Sequence, residues 1–280
     1  MKTAHFISVD GVRTHYFEAG IEHRGKSPSI LLLHSAEFGG AAEFSWEYNL
    51  GPLAERHHVL APDHLGFGLT DKIFDFTGQF DRRIAHIRRF LDMMCVDRAH
   101  VIGSSMSGGL SLTVAARAKP DWPFASLIVC SGGGDAPDNE ARKVLNTYDG
   151  SREHMRRIVD VMFVNPKWTA DEDYIERRWQ MTRVPGAWEA TAAARFKPPF
   201  PQQSNDRRER NAFDYASIKV PTLVFAGRHD PLREPRYTDG FVPKIPGAQL
   251  HIFENAGHMG NIECAEEFNA RVLAFLAGLR

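Results

Sequence analysis

Val101-Ile-Gly-Ser-Ser-Met-Ser-Gly-Gly-Leu-Ser-Leu-Thr-Val-Ala-Ala116 reads as a strand that turns directly into a helix. The apolar run stops at Gly103, and small and apolar residues at helical spacing begin near Met106. A chain that passes from strand to helix within two or three residues strains the residue at the bend, and such a bend needs small neighbours. In Gly103-Ser104-Ser105-Met106-Ser107, small residues lie two before and two after Ser105, so its hydroxyl can project from the bend toward the first helical N–H groups. Ser105-Met106-Ser107-Gly108-Gly109 offers a second register, with Ser107 at the bend. Ser105 is preferred because it follows the strand immediately. Taken alone the string also fits a plain glycine-serine turn, and Ser107 stands where a Gly-x-Ser-x-Gly string has its second glycine, so the rest of the chain must decide.

Outward from the bend, strand and helix alternate. Residues 5 to 20 alternate around Asp10-Gly11 and predict a hairpin. Ser29-Ile-Leu-Leu-Leu-His34 and His57-His-Val-Leu-Ala-Pro-Asp63 are continuous apolar runs of the kind that strands covered on both faces require. A glycine-rich loop and a short helix through Leu53 and Ala54 separate them. A helix over residues 80 to 94, the strand into the bend, and a further strand at Phe124-Ala-Ser-Leu-Ile-Val-Cys130 follow. This alternation implies an α/β fold with a doubly wound, mostly parallel sheet.

Past Gly134 no buried strand is evident until Thr222. Met155, Ile158, Val159, Met162 and Phe163 repeat at helical spacing, and Ile175, Trp179 and Met181 follow in a second helical stretch. The expected organisation is a core of residues 1–134 and 216–280 with a helical cap over 135–215. The cap returns through a proline-rich and then highly charged stretch, residues 197–211. Thr222-Leu-Val-Phe-Ala226 and Gln249-Leu-His-Ile-Phe253 resume the sheet, and Glu263 to Leu279 closes it as an amphipathic helix with Phe268, Val272, Phe275 and Leu276 inward.

Composition narrows the class. The 280 residues are 43% hydrophobic with a formal net charge of -1, enough for a buried core and without the charge that attracts nucleic acid or anionic lipid. Arg82, Arg83, Arg88 and Arg89 form a local basic cluster, read as the solvated side of an amphipathic helix. Cys95, Cys130 and Cys264 lack metal-type spacing and read as reduced, partly buried thiols. The first residues carry no apolar stretch of signal-peptide length and no span suited to a membrane, so a cytoplasmic protein is expected. Neither a metal nor a cofactor is expected. The expected partner is a small-molecule substrate, with a homodimer or higher homo-oligomer as the assembly.

A serine hydroxyl is a weak nucleophile at neutral pH. The bend carries chemistry only if a histidine takes the proton and a carboxylate orients that histidine. Gly227-Arg-His-Asp230-Pro follows the Val224-Phe225 strand, and Asn255-Ala-Gly-His258-Met-Gly follows the Ile252-Phe253 strand. In a parallel sheet all strand carboxyl ends share one edge, so Ser105, Asp230 and His258 can converge there. Any one of them alone has a bland explanation as a turn former or a surface histidine. Together, in this order, they form a candidate triad. Asp135 is a weaker alternative acid, and His229 and His251 are less well placed as bases. An oxyanion needs two preorganised N–H donors, one from Met106 and one from the loop after the Leu31-Leu-Leu33 strand, at Ser35 or Ala36.

These residues resemble the α/β-hydrolase family over nearly the whole chain, and within it the meta-cleavage-product hydrolases, which cleave a carbon-carbon bond in ring-fission products of aromatic degradation. The His34 to Trp46 loop looks like that group's oxyanion loop, Asp63-His-Leu-Gly-Phe-Gly-Leu-Thr-Asp71 like its Asp-x-x-Gly-x-Gly-x-Ser segment, and Phe80-Asp-Arg-Arg83 like the start of its next helix. The resemblance places Ala36 at the loop oxyanion position. It puts Arg178, within Asp173-Tyr-Ile-Glu-Arg-Arg-Trp179, where an arginine meets the acidic end of the substrate. It also marks Ser35, Ser104, Trp179 and Met259 as substrate-facing. Ser104 replaces an asparagine, Met259 a tryptophan and Ser35 a glycine. The implied activity is hydrolysis of a 2-hydroxy-6-oxo-dienoate without a cofactor. A carboxylesterase or lactonase needs the same triad and is the main alternative, with a cofactor-free lyase or ligand sensor more remote. Trp168, Trp179 and Trp188 could line an aromatic pocket or pack the cap.

Overall fold

The computed structural model describes residues 2–75, 79–193, 195 and 214–279. The predicted hairpin forms from β1 (Thr3–Val9) and β2 (Val12–Ala19), paired antiparallel. Its turn, Asp10-Gly11, has φ of 48° and 85°, the left-handed pair that matches the twist of the flanking strands. Each long apolar run becomes a buried strand: β3 (Ser29–Leu33), β4 (Val59–Pro62), β5 (Ala99–Ser104), β6 (Phe124–Cys130), β7 (Thr222–Gly227) and β8 (Gln249–Phe253). The sheet order is β1-β2-β4-β3-β5-β6-β7-β8. The hairpin joins β4 antiparallel, and all pairings from β4 to β8 are parallel.

Alternate strand residues feed opposite layers. Ile30, Leu32, Ile102 and Ile128 pack with Trp46, Leu53, Phe268 and Val272, which come from α1 (Ala42–Trp46), α2 (Leu50–Ala54) and the closing helix α10 (Ala265–Ala277), preceded by the short α9 (Gly260–Glu263). Leu31, Leu33 and Val101 pack on the other face with Ile84, Ile87 and Phe90 of α3 (Gln79–Met93) and Leu110 and Val114 of α4 (Met106–Ala115). Among the described residues no helix is long and apolar enough to cross a membrane.

Arg83 corrects the reading of the basic cluster. Arg82 and Arg89 are exposed and Arg88 is half-buried, but Arg83 keeps only 8% of its exposure. It shares the helix face of Ile87, Phe90 and Met94, at i+4, i+7 and i+11, and so turns inward with them. Cys95 also departs from expectation, being exposed, whereas Cys130 is buried and Cys264 is intermediate.

Between β6 and β7 the chain inserts α5 (Glu140–Asn146), α6 (Arg152–Met162), α7 (Glu172–Thr182) and α8 (Ala187–Ala193). Asn139, Ser151 and Asp171 cap α5, α6 and α7 by accepting from the amides of Arg142, His154 and Tyr174. The apolar stripes of α6 and α7 (Met155, Ile158, Val159, Tyr174, Ile175) close over Phe44 of α1 and over Phe38, Leu232 and Met259 from the loops at the sheet's carboxyl edge. The inserted helices thereby roof that edge. The charged return expected at 197–211 lies outside the described residues.

Candidate active site

The bend forms at Ser105, with φ 53° and ψ −112°, between the last residue of β5 and the first of α4. Its neighbours are small for steric reasons. A Cβ on Gly103 would come within 2.5 Å of Ser107 O, and one on Gly108 within 2.9 Å of Val129 Cγ1. Ser107 serves a different purpose. Its hydroxyl donates to His34 O and receives His64 Nε2 at 2.7 Å, so its one proton is committed to a carbonyl. Burial also lowers His64 well below the ordinary imidazole pKa. The Ser107 register is thus disfavoured as a nucleophile, and Ser105 remains.

Ser105, Asp230 and His258 meet. His258 Nε2 lies 2.8 Å from Ser105 Oγ, and its Nδ1 lies 2.7 Å from Asp230 Oδ2. Asp230 Oδ1 accepts from the Leu232 amide at 2.9 Å. Burial alone would raise the Asp230 carboxyl, but the charge and hydrogen bond of His258 and the Leu232 amide outweigh it and hold the group below its ordinary value. An ionised Asp230 accepts the Nδ1 proton of His258, which leaves Nε2 as a lone pair facing the serine hydroxyl. Asp135 and His229 are exposed, and His251 of β8 pairs with Glu267 of α10 at 3.1 Å. None of these three belongs to the hydrogen-bonded chain.

Met106 opens α4, so its N–H belongs to the first turn and has no intrahelical acceptor. Ala36 lies in the loop after β3, where its carbonyl accepts from Arg195 Nη2 at 2.9 Å. Ser35 is buried in the same loop with its hydroxyl 3.2 Å from Ser45 Oγ. The Ser35 amide is directed to that same Ser45 Oγ at 3.5 Å, so the two loop candidates differ in what holds them.

The residues expected to face substrate divide. Ser104 is fully buried beside the bend, and its hydroxyl has no hydrogen-bond partner among the described residues. Met259 is fully buried against the inserted helices. Trp179 is tied by its indole N–H to Gly150 O at 3.0 Å, and Trp168 stacks on Phe163 at 5.1 Å, so both pack the inserted helices. Trp188 is 41% exposed and donates to Tyr148 O. Arg178 is fully buried and already paired: Nη2 donates to Glu37 Oε1 at 2.6 Å and Nη1 to Tyr174 Oη at 3.3 Å. Burial would raise Glu37, but the Arg178 charge and hydrogen bond hold it below the usual carboxylate range.

Residues 30–271 match the family model described as alpha/beta hydrolase family. The chain belongs to this family. This alpha/beta hydrolase is 30% identical over 263 residues to 2-hydroxymuconate semialdehyde hydrolase of Pseudomonas putida, covering 93% of this chain and 91% of that one. It is 29% identical to 2-hydroxy-6-oxo-6-(2'-aminophenyl)hexa-2,4-dienoic acid hydrolase of Metapseudomonas resinovorans, covering 97% and 90%. The fold is shared with a solved meta-cleavage product hydrolase from Pseudomonas fluorescens IP01, with a TM-score of 0.84 at 24% identity over 99% of this chain and 98% of that one.

Further side chains of the hydrolase hold these loops, and sequence reading passed over them. Glu263 accepts from the amides of Val164, Asn165 and Gly257 at 2.8, 2.8 and 2.7 Å, and His258 N donates to Met162 O at 2.9 Å. The histidine loop is thereby fastened to the end of α6. The Arg233 guanidinium donates to the carbonyls of Ser131 and Gly133, which fastens the aspartate loop to the end of β6. These residues carry no motif. Their one signal is a charged side chain placed next to a strand-end loop.

Proposed function

We propose that this hydrolase cleaves a carbon-carbon bond in a 2-hydroxy-6-oxo-dienoate-like ring-fission product, with Ser105, His258 and Asp230 as its triad and no cofactor. The observation that carries the catalytic part is the unbroken hydrogen-bond chain from Ser105 Oγ through His258 to Asp230 Oδ2. The substrate class is supported by one relative named for such an acid and another named for 2-hydroxymuconate semialdehyde. His258 first assists transfer of the dienol proton to carbon, giving the keto form. Ser105 Oγ then attacks the distal carbonyl as Nε2 takes its proton, and the oxyanion accepts from the amides of Met106 and Ala36. The carbon-carbon bond breaks, its electron pair leaves as a stabilised enolate, and His258 returns the proton. Water repeats the addition at the acyl-enzyme and releases the carboxylic acid.

A carboxylesterase or lactonase is the second reading, favoured by Ser104 in place of asparagine and by Glu37 occupying Arg178. One assay separates the two. Bleaching of a yellow ring-fission dienoate is followed beside release of nitrophenol from a short ester. Efficient bleaching is expected. Fast ester turnover with no bleaching overturns the carbon-carbon reading and leaves the triad in place.

A further inference from the structure

The acidic end of a dienoate needs a cation whose charge is not already neutralised. Arg178 does not offer that, because a second carboxylate arriving there would meet Glu37 on the same guanidinium. Arg83 does. Its side chain keeps 8% of its exposure, and among the described residues no carboxylate forms an ion pair with it. Its Nη1 rests on Met106 Sδ at 3.9 Å, and the guanidinium lies 5.1 Å from the Phe67 ring centroid. Asp75 attracts it from beside the same crevice, and Asp75 also pairs with Arg82 Nε at 2.9 Å. Burial and the like charge of Arg195 pull its pKa down to about 10, so the cation persists at neutral pH in surroundings that disfavour it. An incoming anion relieves that cost.

The position is suited to the chemistry. Arg83 borders a narrow crevice between α3 and α8, lined also by Leu65, Ile73, Asp75, Gln79, Arg82 and Ala190. Arg83 touches the side chain of residue 106 and Arg195 the carbonyl of residue 36, the two residues proposed to hold the oxyanion. We propose that Arg83 is the carboxylate anchor of this hydrolase, and that the acid end of the substrate lies on the α3 side of Ser105. This rests on the reading that the substrate is a dienoate.

Arg83→Met keeps the apolar stem and removes the fork, and Arg83→Lys keeps the charge without the bidentate geometry. The readout is the ratio of kcat/KM for the dienoate to kcat/KM for 4-nitrophenyl acetate, with thermal melting to confirm folding. In Arg83→Met the ratio is expected to fall about 30-fold, the size of one charge-assisted contact, mainly through KM for the acid. Arg83→Lys should fall between. A ratio within twofold of the wild type, whether both substrates drop together or neither does, overturns the proposal. If the wild type cleaves the ester and never bleaches the dienoate, the functional reading fails and a separate measurement decides on Arg83. Inhibition of ester hydrolysis by benzoate should then weaken about tenfold in Arg83→Met, and an unchanged inhibition constant overturns the anchor.

Discussion

Ser105 sits at φ 53°, a left-handed conformation that a non-glycine residue keeps only when its surroundings impose it. The surroundings are the glycines on either side and the 2.8 Å contact with His258, so the bend that strains Ser105 also holds its hydroxyl against the imidazole. Ser105→Ala is expected to lower kcat by about 10⁴- to 10⁶-fold while leaving the fold intact, read as turnover beside an unchanged circular dichroism spectrum. Asp230→Asn removes the carboxylate that fixes the His258 tautomer and should cost about 10⁴-fold in kcat at neutral pH, with KM nearly unchanged. A loss of less than tenfold in either variant would remove that residue from the mechanism. These three positions were legible because each follows an apolar run within a few residues, which is where a parallel sheet delivers loops to one edge. Glu37 and Arg83 were not. An arginine in a basic helix reads as solvated until packing shows what covers it, and an acid in a glycine-rich loop carries no pattern that marks it as buried.

The strands were equally legible, since runs such as Ile30–Leu33 and Val101-Ile102 leave no polar face to expose. The helices were less so. The single short helix expected before β4 is two, α1 and α2, broken at Asn49, whose side-chain amide bonds Asn261 O and Asn269 Oδ1. Those partners are more than two hundred residues away, and no local pattern reports them. The turn from β5 to α4 is the element on which the proposed catalysis depends, and its tolerance is narrow: a Cβ on Gly103 would meet Ser107 O at 2.5 Å and Gly108 N at 2.8 Å. Both atoms are backbone and cannot rotate away. Gly103→Ala should therefore cost about 1–3 kcal/mol in urea-unfolding free energy and lower kcat more than it raises KM, because the bend must open to admit the methyl group. Stability and kcat both unchanged would mean that the bend is soft, contrary to the strain argued for Ser105.

Among the described residues a buried ion pair, Arg178 of α7 with Glu37 of the loop after β3, joins the inserted helices to the sheet edge. Glu37 directly follows Ala36, so the pair bears on the proposed oxyanion donor as well as on the seating of the roof. Breaking a buried pair from one side leaves an uncompensated charge, so Glu37→Gln and Arg178→Met should each destabilise by about 3–5 kcal/mol. The double variant should cost clearly less than the sum, since neither charge then remains buried alone. The pH dependence has a fixed sign. Glu37 is held below its ordinary value in the fold, so its contribution is fully present above the unfolded carboxylate value of about 4.3 and is lost as pH falls through the lower folded value. Urea midpoints compared at about pH 3 and about pH 6 should show a smaller acid loss in Glu37→Gln than in the wild type, with Asp230 and Asp63, lowered in the same direction, supplying what remains. Equal acid losses in the two proteins, or strictly additive costs in the double variant, would mean that Glu37 and Arg178 do not act as a pair, and Arg178 would again be available to a substrate carboxylate.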